Sequence, residues 1–200
     1  LILIDGNSLL NRAFYAMAPF STREGLPTNG IFGFIKLMFR ILEDEKPEYF
    51  VVTFDVHAPT FRHKIYNQYK GTRKPMPEEL VVQVPVLKDL LRAMDICIVE
   101  KAGYEADDLI GTIARRFPEV ETLIYTGDHD SYQLIDAHTS VCITKRGVTD
   151  IDRMTQDNFY EKEGITPSQV IELKALMGDN SDNIPGVKGI GPKSALSLLA

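Results

Sequence analysis

Short, continuously apolar runs alternate along the chain with stretches in which apolar residues recur every three or four positions. The runs LILID (1–5), YFVVTFD (49–55), ICIVE (96–100), ETLIYTGD (121–128) and SVCITK (140–145) are rich in β-branched and aromatic residues and read as strands. Between them Ile31, Phe34, Ile35, Met38 and Leu42 share a helical face, as do Leu80, Val84, Leu87, Leu91 and Met94, and then Ala106, Leu109, Ile110, Ile113 and Phe117. Pro85 removes a backbone donor inside the second stripe, which predicts a kink. Apolar strands separated by helices predict an α/β fold with a mostly parallel sheet flanked by helices.

The strand signal ends near residue 152. A helix is then expected from Thr166 as N-cap and Pro167 as first helical residue, with the stripe Val170, Leu173 and Met177. The segment MGDNSDNIPGVKGIGPKS follows, and KSALSLLA resumes helical character, so the chain divides into an α/β core (1–152) and a helical region (153–200). Leu1 already stands in a strand pattern and Ala200 in a helical one, the expectation for a piece of a longer chain.

A net charge of −6 excludes a surface coated for nucleic acid, so any phosphate contact must come from a local basic patch. Cys97 and Cys142 lie in apolar runs without metal-ligand spacing and read as buried, reduced thiols. No apolar run approaches bilayer length, and the expectation is a cytoplasmic protein that does not engage membranes.

Three predicted strands end on aspartate: Asp5, Asp55 and Asp128. Open parallel sheets bind ligands beyond the carboxyl ends of their strands, so these acids converge on one edge. Asp130 follows Asp128 by two residues, YEADD sets Glu105, Asp107 and Asp108 at a helix start, and Asp179 and Asp182 complete the set. Any one of them alone is an ordinary turn or cap residue. Together they repel: two charges ~4 Å apart interact by about 4 kcal/mol at an effective dielectric of 20. An all-oxygen set suits Mg²⁺ or Mn²⁺ rather than zinc, and its size indicates two ions, expected in one pocket.

The stretch HAPTFRHKIYNQYKGTRKPMP (57–77) holds Arg62, Lys64, Lys70, Arg73 and Lys74 but no acid, with Phe61, Tyr66 and Tyr69 interleaved. Such a combination tracks a phosphate backbone and stacks bases, and on a helix Lys70 and Arg73 would share a face. Near the end, Gly186, Gly189 and Gly191 with Lys188 and Lys193 form a turn whose free amides suit a phosphate.

LILIDGNSLLNRAFYA, FRHKIYNQYKGTR, GYEADDLIGT, TGDHDSYQL and MGDNSDNIPGVKGIGPKSA resemble, in order, the motifs of the 5′-nuclease family of bacterial DNA polymerase I and the flap endonucleases. The resemblance implies a PIN-like core with a C-terminal helix-hairpin-helix element. It implies hydrolysis of DNA phosphodiesters at a 5′ end, nick or 5′ flap, in replication and repair, by two divalent ions. Asp5, Asp55, Glu105 and Asp107 would serve the first ion and Asp130, Asp179 and Asp182 the second, with Asp128 between and Asp108 adjacent. Lys70 and Arg73 would stabilise the reacting phosphate, Tyr69 would stack near the scissile nucleotide, and Arg12 and Arg62 would hold phosphates. A potassium ion at the hairpin around Val187 and Ile190, a monomeric state, and a polymerase domain on the same full-length chain are also implied. His129 and Ser131 stand where the family commonly has a basic and a larger apolar residue.

Two rivals remain at this point. LILIDGN and GDNSDN faintly resemble haloacid-dehalogenase-like phosphatases, whose chemistry wants an aspartate where Asn7 stands. A pure DNA-binding module would gain nothing from acids beside phosphate.

Overall fold

A computed structural model describes residues 1–145 and 150–199; Ala200, expected to continue the last helix, lies outside them. Strand β1 (Ile2–Asp5) leads straight into α1 (Gly6–Ala16), followed by α2 (Asn29–Glu45) and β2 (Phe50–Phe54). Next come the short α3 (Phe61–Ile65) and α4 (Glu78–Val81), then α5 (Gln83–Ala93), β3 (Cys97–Glu100), α6 (Ala106–Arg116) and β4 (Thr122–Thr126). A 3-10 segment (His129–Leu134) precedes β5 (Thr139–Thr144), β6 (Ile151–Met154), α7 (Gln156–Glu163) and α8 (Gln169–Met177). The two-residue strands β7 (Gly178–Asp179) and β8 (Ile184–Pro185) and the helix α9 (Pro192–Leu199) close the chain.

The described strands form a six-stranded sheet in the order β3-β2-β1-β4-β5-β6, parallel except for β6. Both faces are buried, as the unbroken apolar runs require. Ile2 and Ile4 of β1 join the core beneath α1, α2 and α5, whereas Leu3 joins the core beneath α6, α7 and α8. Strand order reverses between β1 and β4, and at such a switch point the loops leaving the carboxyl ends part to open a crevice.

Several expectations need correction. Cys97 is exposed because β3 is an edge strand, although Cys142 is buried and both thiols are free. The strand signal persists past 152: β6 pairs antiparallel with β5, Val141 opposite Met154. The late helix starts at Gln169 rather than at Pro167, because the Gln169 and Val170 amides donate three residues back to Thr166 and Pro167 and tighten the first turn. The region after it is not wholly helical, since β7 pairs with β8. That pairing needs glycine: a Cβ on Gly186 would lie 2.2 Å from the carbonyl carbon of Met177. Near Pro85 the helical hydrogen bonding is interrupted between α4 and α5 at Val82, whose backbone stays right-handed helical at φ −68° and ψ −20°, because proline offers no amide to the Val81 carbonyl. Among the described residues no helix is long and apolar enough to cross a membrane.

Candidate metal and nucleic-acid site

The crevice beyond β1 and β4 is a cavity of about 590 Å³ whose lining includes Asp5, Asp55, Glu105, Asp107 and Asp128. Each acid is placed by a strand end or a helix start. Asp5 ends β1 and caps α1, one oxygen accepting from the Ser8 amide at 3.0 Å and the other from the Thr126 hydroxyl at 2.9 Å. Asp55 follows β2 and accepts from the Ala106 amide at 2.7 Å, holding the start of α6. Asp128 follows β4 and caps the 3-10 segment through the Asp130 amide at 2.9 Å. The capping roles that any single acid suggested are therefore real, and the acids still converge, because strand ends and helix starts meet at this edge.

A second cavity, of about 380 Å³, is lined by Asp107, Asp130, Asp179 and Asp182 together with Arg62, Tyr69 and Lys174. Eight of the nine acids thus border these two adjoining cavities, Asp107 bordering both, while Asp108 lines a further cavity with Asp107 and Asp130, so the acids spread over neighbouring cavities rather than the single pocket expected. Among the described residues no three of them stand close enough to grip an ion as they are. The chain's own cations explain the spread. Arg62 forks onto Asp108 with two contacts of 2.8 Å, Lys70 reaches Glu105 at 2.8 Å, and Arg73 pairs with Asp182. Lys174 lies 2.7 Å from Asp130 Oδ1 and 2.6 Å from Asp179 Oδ2.

Burial raises the carboxyls of Asp5, Asp107 and Asp130, the last despite Lys174 beside it, whereas the well-paired Asp179 and Asp108 escape. Burial pushes the Asp5 carboxyl up to about 7, against the Ser8 and Thr126 bonds and with help from the charges of Asp55 and Asp128. Burial likewise lifts Asp107 to about 6, aided by Asp108 and Glu105. Asp179 goes the other way: burial opposes its charge, but Lys174 and Ser181 outweigh it and hold the carboxyl at about 2. Asp108 is also lowered, burial being overcome by Arg62 and the Glu105 amide.

The basic stretch is not helical at Lys70 and Arg73, so the shared face that a helix would give them does not form. Beyond α3 it runs as turns, with Lys70 at φ 55°, held in the left-handed region by its docking on the loop between β7 and β8. The Lys70 amide donates to the Asp182 carbonyl at 2.9 Å, Asn183 donates to the Gln68 carbonyl at 2.8 Å, and Arg73 donates to the Ser181 carbonyl at 3.1 Å. Tyr69 is only 5% exposed, its hydroxyl between Glu105 at 3.0 Å and Asp182 at 2.9 Å, so in this conformation its ring has no open face for a base.

Arg12 lines the first cavity and donates to the Lys145 carbonyl, while Arg62 is engaged with Asp108 rather than open to phosphate. Lys74 is exposed beyond the docked turns, and Gly186, Lys188, Gly189, Gly191 and Lys193 lie on an exposed loop and helix start outside both cavities. Ser131 is buried and His129 packs against Tyr132 with ring centroids 5.0 Å apart. Sequence reasoning missed Asn7, Tyr15 and Met76 in the first cavity and Lys174 in the second. Of these only Lys174 left a signal, as the lysine in ELKALMGD five residues before Asp179.

Residues 1–164 match the family model described as 5′-3′ exonuclease, N-terminal resolvase-like domain, and residues 165–200 match 5′-3′ exonuclease, C-terminal SAM fold. The chain belongs to the 5′-3′ exonuclease family. It is 44% identical to a 5′-3′ exonuclease of Mycoplasma pneumoniae, the match covering 99% of this chain and 70% of that protein. It is 46% identical to DNA polymerase I of Bacillus subtilis over 100% of this chain but 23% of the relative, so it spans about a quarter of that protein's length. In fold it is similar to the bacteriophage T5 5′-exonuclease with divalent zinc bound, at a TM-score of 0.79 and 24% identity, covering 99% of this chain and 73% of that one. Another T5 structure, a flap endonuclease variant complexed with DNA and metal ions, gives a TM-score of 0.77 at 23% identity, covering 98% of this chain and 73% of that one. Members of the 5′-3′ exonuclease family thus share both the core and the hairpin region described above.

Proposed function

We propose that this chain is the nuclease part of a structure-specific 5′-nuclease that hydrolyses DNA phosphodiesters from a 5′ end, a nick or the base of a 5′ flap, in replication and repair. The observation that carries the reading is the crevice at the β1/β4 switch point, where Asp5, Asp55, Asp107 and Asp128 face the same cavity as Arg12, Lys70 and Arg73. Acids and bases around one open cavity suit a phosphodiester whose charge is shared with cations. A small-molecule phosphatase has no need of the basic turns docked beside the hairpin.

The donor set fits divalent ions. All of its ligating groups are hard oxygens, and the buried Asp5 carboxyl, raised to about 7, is a charge waiting for a counter-ion. The buried Asp130 Oδ1 already attracts a cation, the Lys174 ammonium 2.7 Å away. Asp5, Asp55, Glu105 and Asp107 would hold one ion and Asp130, Asp179 and Asp182 another, with Asp128 between and Asp108 behind Arg62; Mg²⁺ or Mn²⁺ is the natural occupant. When bound, such ions supply an acidified water and neutralise charge on the phosphate. Lys70 and Arg73 leave Glu105 and Asp182 and donate to the phosphate as its charge grows. Tyr69, freed with them, offers its ring to the neighbouring base. The hairpin, with the Val187 and Ile190 carbonyls as potassium ligands and Lys188 and Lys193 beside them, grips duplex backbone away from the reacting bond. The protein acts in the cytoplasm as a monomer, with a polymerase domain on the full-length chain.

Cleavage of a labelled 5′-flap duplex with and without Mg²⁺ tests this reading. Activity should vanish in chelator and return with Mg²⁺ or Mn²⁺; full activity in excess chelator overturns it.

A further inference from the structure

We propose that Lys174 is a built-in stand-in for the second divalent ion: its ammonium occupies the cation position between Asp130 and Asp179 in the metal-free chain and must swing out before an ion enters. The inference rests on the metal-dependent reading above, which says nothing about Lys174.

Lys174 lies on the last turns of α8, five residues before Asp179, and its ammonium bridges two acids from distant parts of the chain. One contact is a hydrogen bond to Asp179 Oδ2 at 2.6 Å. The other is an ion pair with the buried Asp130 Oδ1, 2.7 Å away. An ammonium is thus already seated between the two carboxylates, where a divalent ion, which takes oxygen ligands from several directions, could hold both at once. The first cavity contrasts with this. Among the described residues no lysine or arginine pairs with Asp5, Asp55 or Asp128, and of the acids given to the first ion only Glu105 is held by a cation, Lys70 at 2.8 Å, so the other three carboxylates are free of any ammonium.

An ammonium and a divalent ion on the same two carboxylates would repel strongly at such separations, so occupancy is exclusive. The Lys174 side chain is one-third exposed on a flexible stem, so it can turn to solvent without moving α8. The second ion binds only the fraction of molecules with Lys174 turned away, and its apparent affinity is lowered by that fraction. Filling is therefore ordered, the sheet-edge position first. A lysine that merely pinned α8 to the hairpin would have no such effect on ion affinity.

Calorimetric titration of the protein with Mn²⁺ should resolve a tighter and a weaker class of binding, the weaker one disappearing in Asp179→Asn. Lys174→Met should tighten the weaker class by about tenfold, as expected if roughly one molecule in ten has the lysine turned away, and leave the tighter class unchanged. In the wild-type protein, acetic anhydride labelling of Lys174 read by mass spectrometry should rise as Mg²⁺ fills the weaker class. An unchanged or weakened class in Lys174→Met, or labelling that stays flat or falls, overturns the proposal. Absence of any divalent binding overturns the metal-dependent reading itself, so the two failures are distinct.

Discussion

The acids at the sheet edge and the acids beside the hairpin differ in what balances their charge. Among the described residues Asp5, Asp55 and Asp128 stand without lysine or arginine partners, and at Asp5 burial, with no cation to oppose it and with the Asp55 and Asp128 charges adding to it, gives a carboxyl that resists ionisation. Asp179 and Asp182 each hold a basic side chain, and Asp179 ionises far more readily than a free carboxylate. Burial opposes charge in both places. What differs is that the hairpin acids can be neutralised by residues of the chain itself, whereas the strand-end acids wait for something from outside. One group is a poised receptor for cations and the other a self-closed latch.

Charge removal should separate the two most sharply. Asn keeps the capping ability of Asp128 but not its charge. Asp128→Asn should therefore fold normally and lose about 10³-fold in kcat for flap cleavage, the scale of several kcal/mol expected when one arm of a two-ion clamp is removed. Asp108 is already matched by both nitrogens of the Arg62 fork. Asp108→Asn should instead lower stability by about 1–3 kcal/mol through the half-paired arginine, with a much smaller loss of kcat. Equal losses of kcat in the two variants would erase the distinction.

Smaller effects belong to the latch. Lys70→Ala and Arg73→Ala should each lower kcat by about 10²-fold, the usual size for one electrostatic donor at a reacting phosphate. Each should also free an acid, Glu105 or Asp182, that the side chain neutralises in the closed form. Divalent binding without DNA should then tighten while cleavage falls, a combination that a residue serving substrate alone would not give. Calorimetry beside single-turnover kinetics would reveal it.

The asymmetry between the groups also decided what could be read from the sequence. The first five strands were legible because each is a continuous apolar run, and Asp5, Asp55 and Asp128 were legible because a parallel sheet brings such strand ends to one side. α1 follows β1 with no turn between them, so its apolar residues Leu9, Leu10 and Ala13 merge with the strand signal. β6 is a short edge strand with Asp152 and Arg153 in it, too polar to stand out. The pairings of Tyr69 and Arg73 with Asp182, and of Lys174 with Asp130, join residues that only the folded chain brings together. Reading acids without those cations gave one shared pocket where the described residues form several adjoining cavities.

The smallest effect is on stability, and it has opposite signs at Asp5 and Asp107 on one side and Asp179 on the other. In chelator, folded Asp5 and Asp107 titrate near 7 and 6, above the value near 3.8 for an unfolded aspartate. Across that interval the folded chain binds more protons than the unfolded one, so this contribution is lost as pH rises from about 4 to about 7. Asp179 behaves inversely: its carboxyl is held at about 2, so its stabilisation is present above about 4 and is lost as pH falls toward 2. The metal-free protein should thus be most stable near pH 4 to 5 as far as these groups govern it, and its Tm should fall toward pH 7, each kcal/mol corresponding to about 2–4 °C for a chain of this size. Mg²⁺ should restore Tm mainly at the upper end, where the strand-end acids are ionised, and Asp5→Asn should flatten the upper limb while leaving the acid limb in place. Thermal melts between pH 3 and 8, with and without Mg²⁺, read both limbs, and an upper limb that survives Asp5→Asn unchanged would place the unbalanced charge elsewhere.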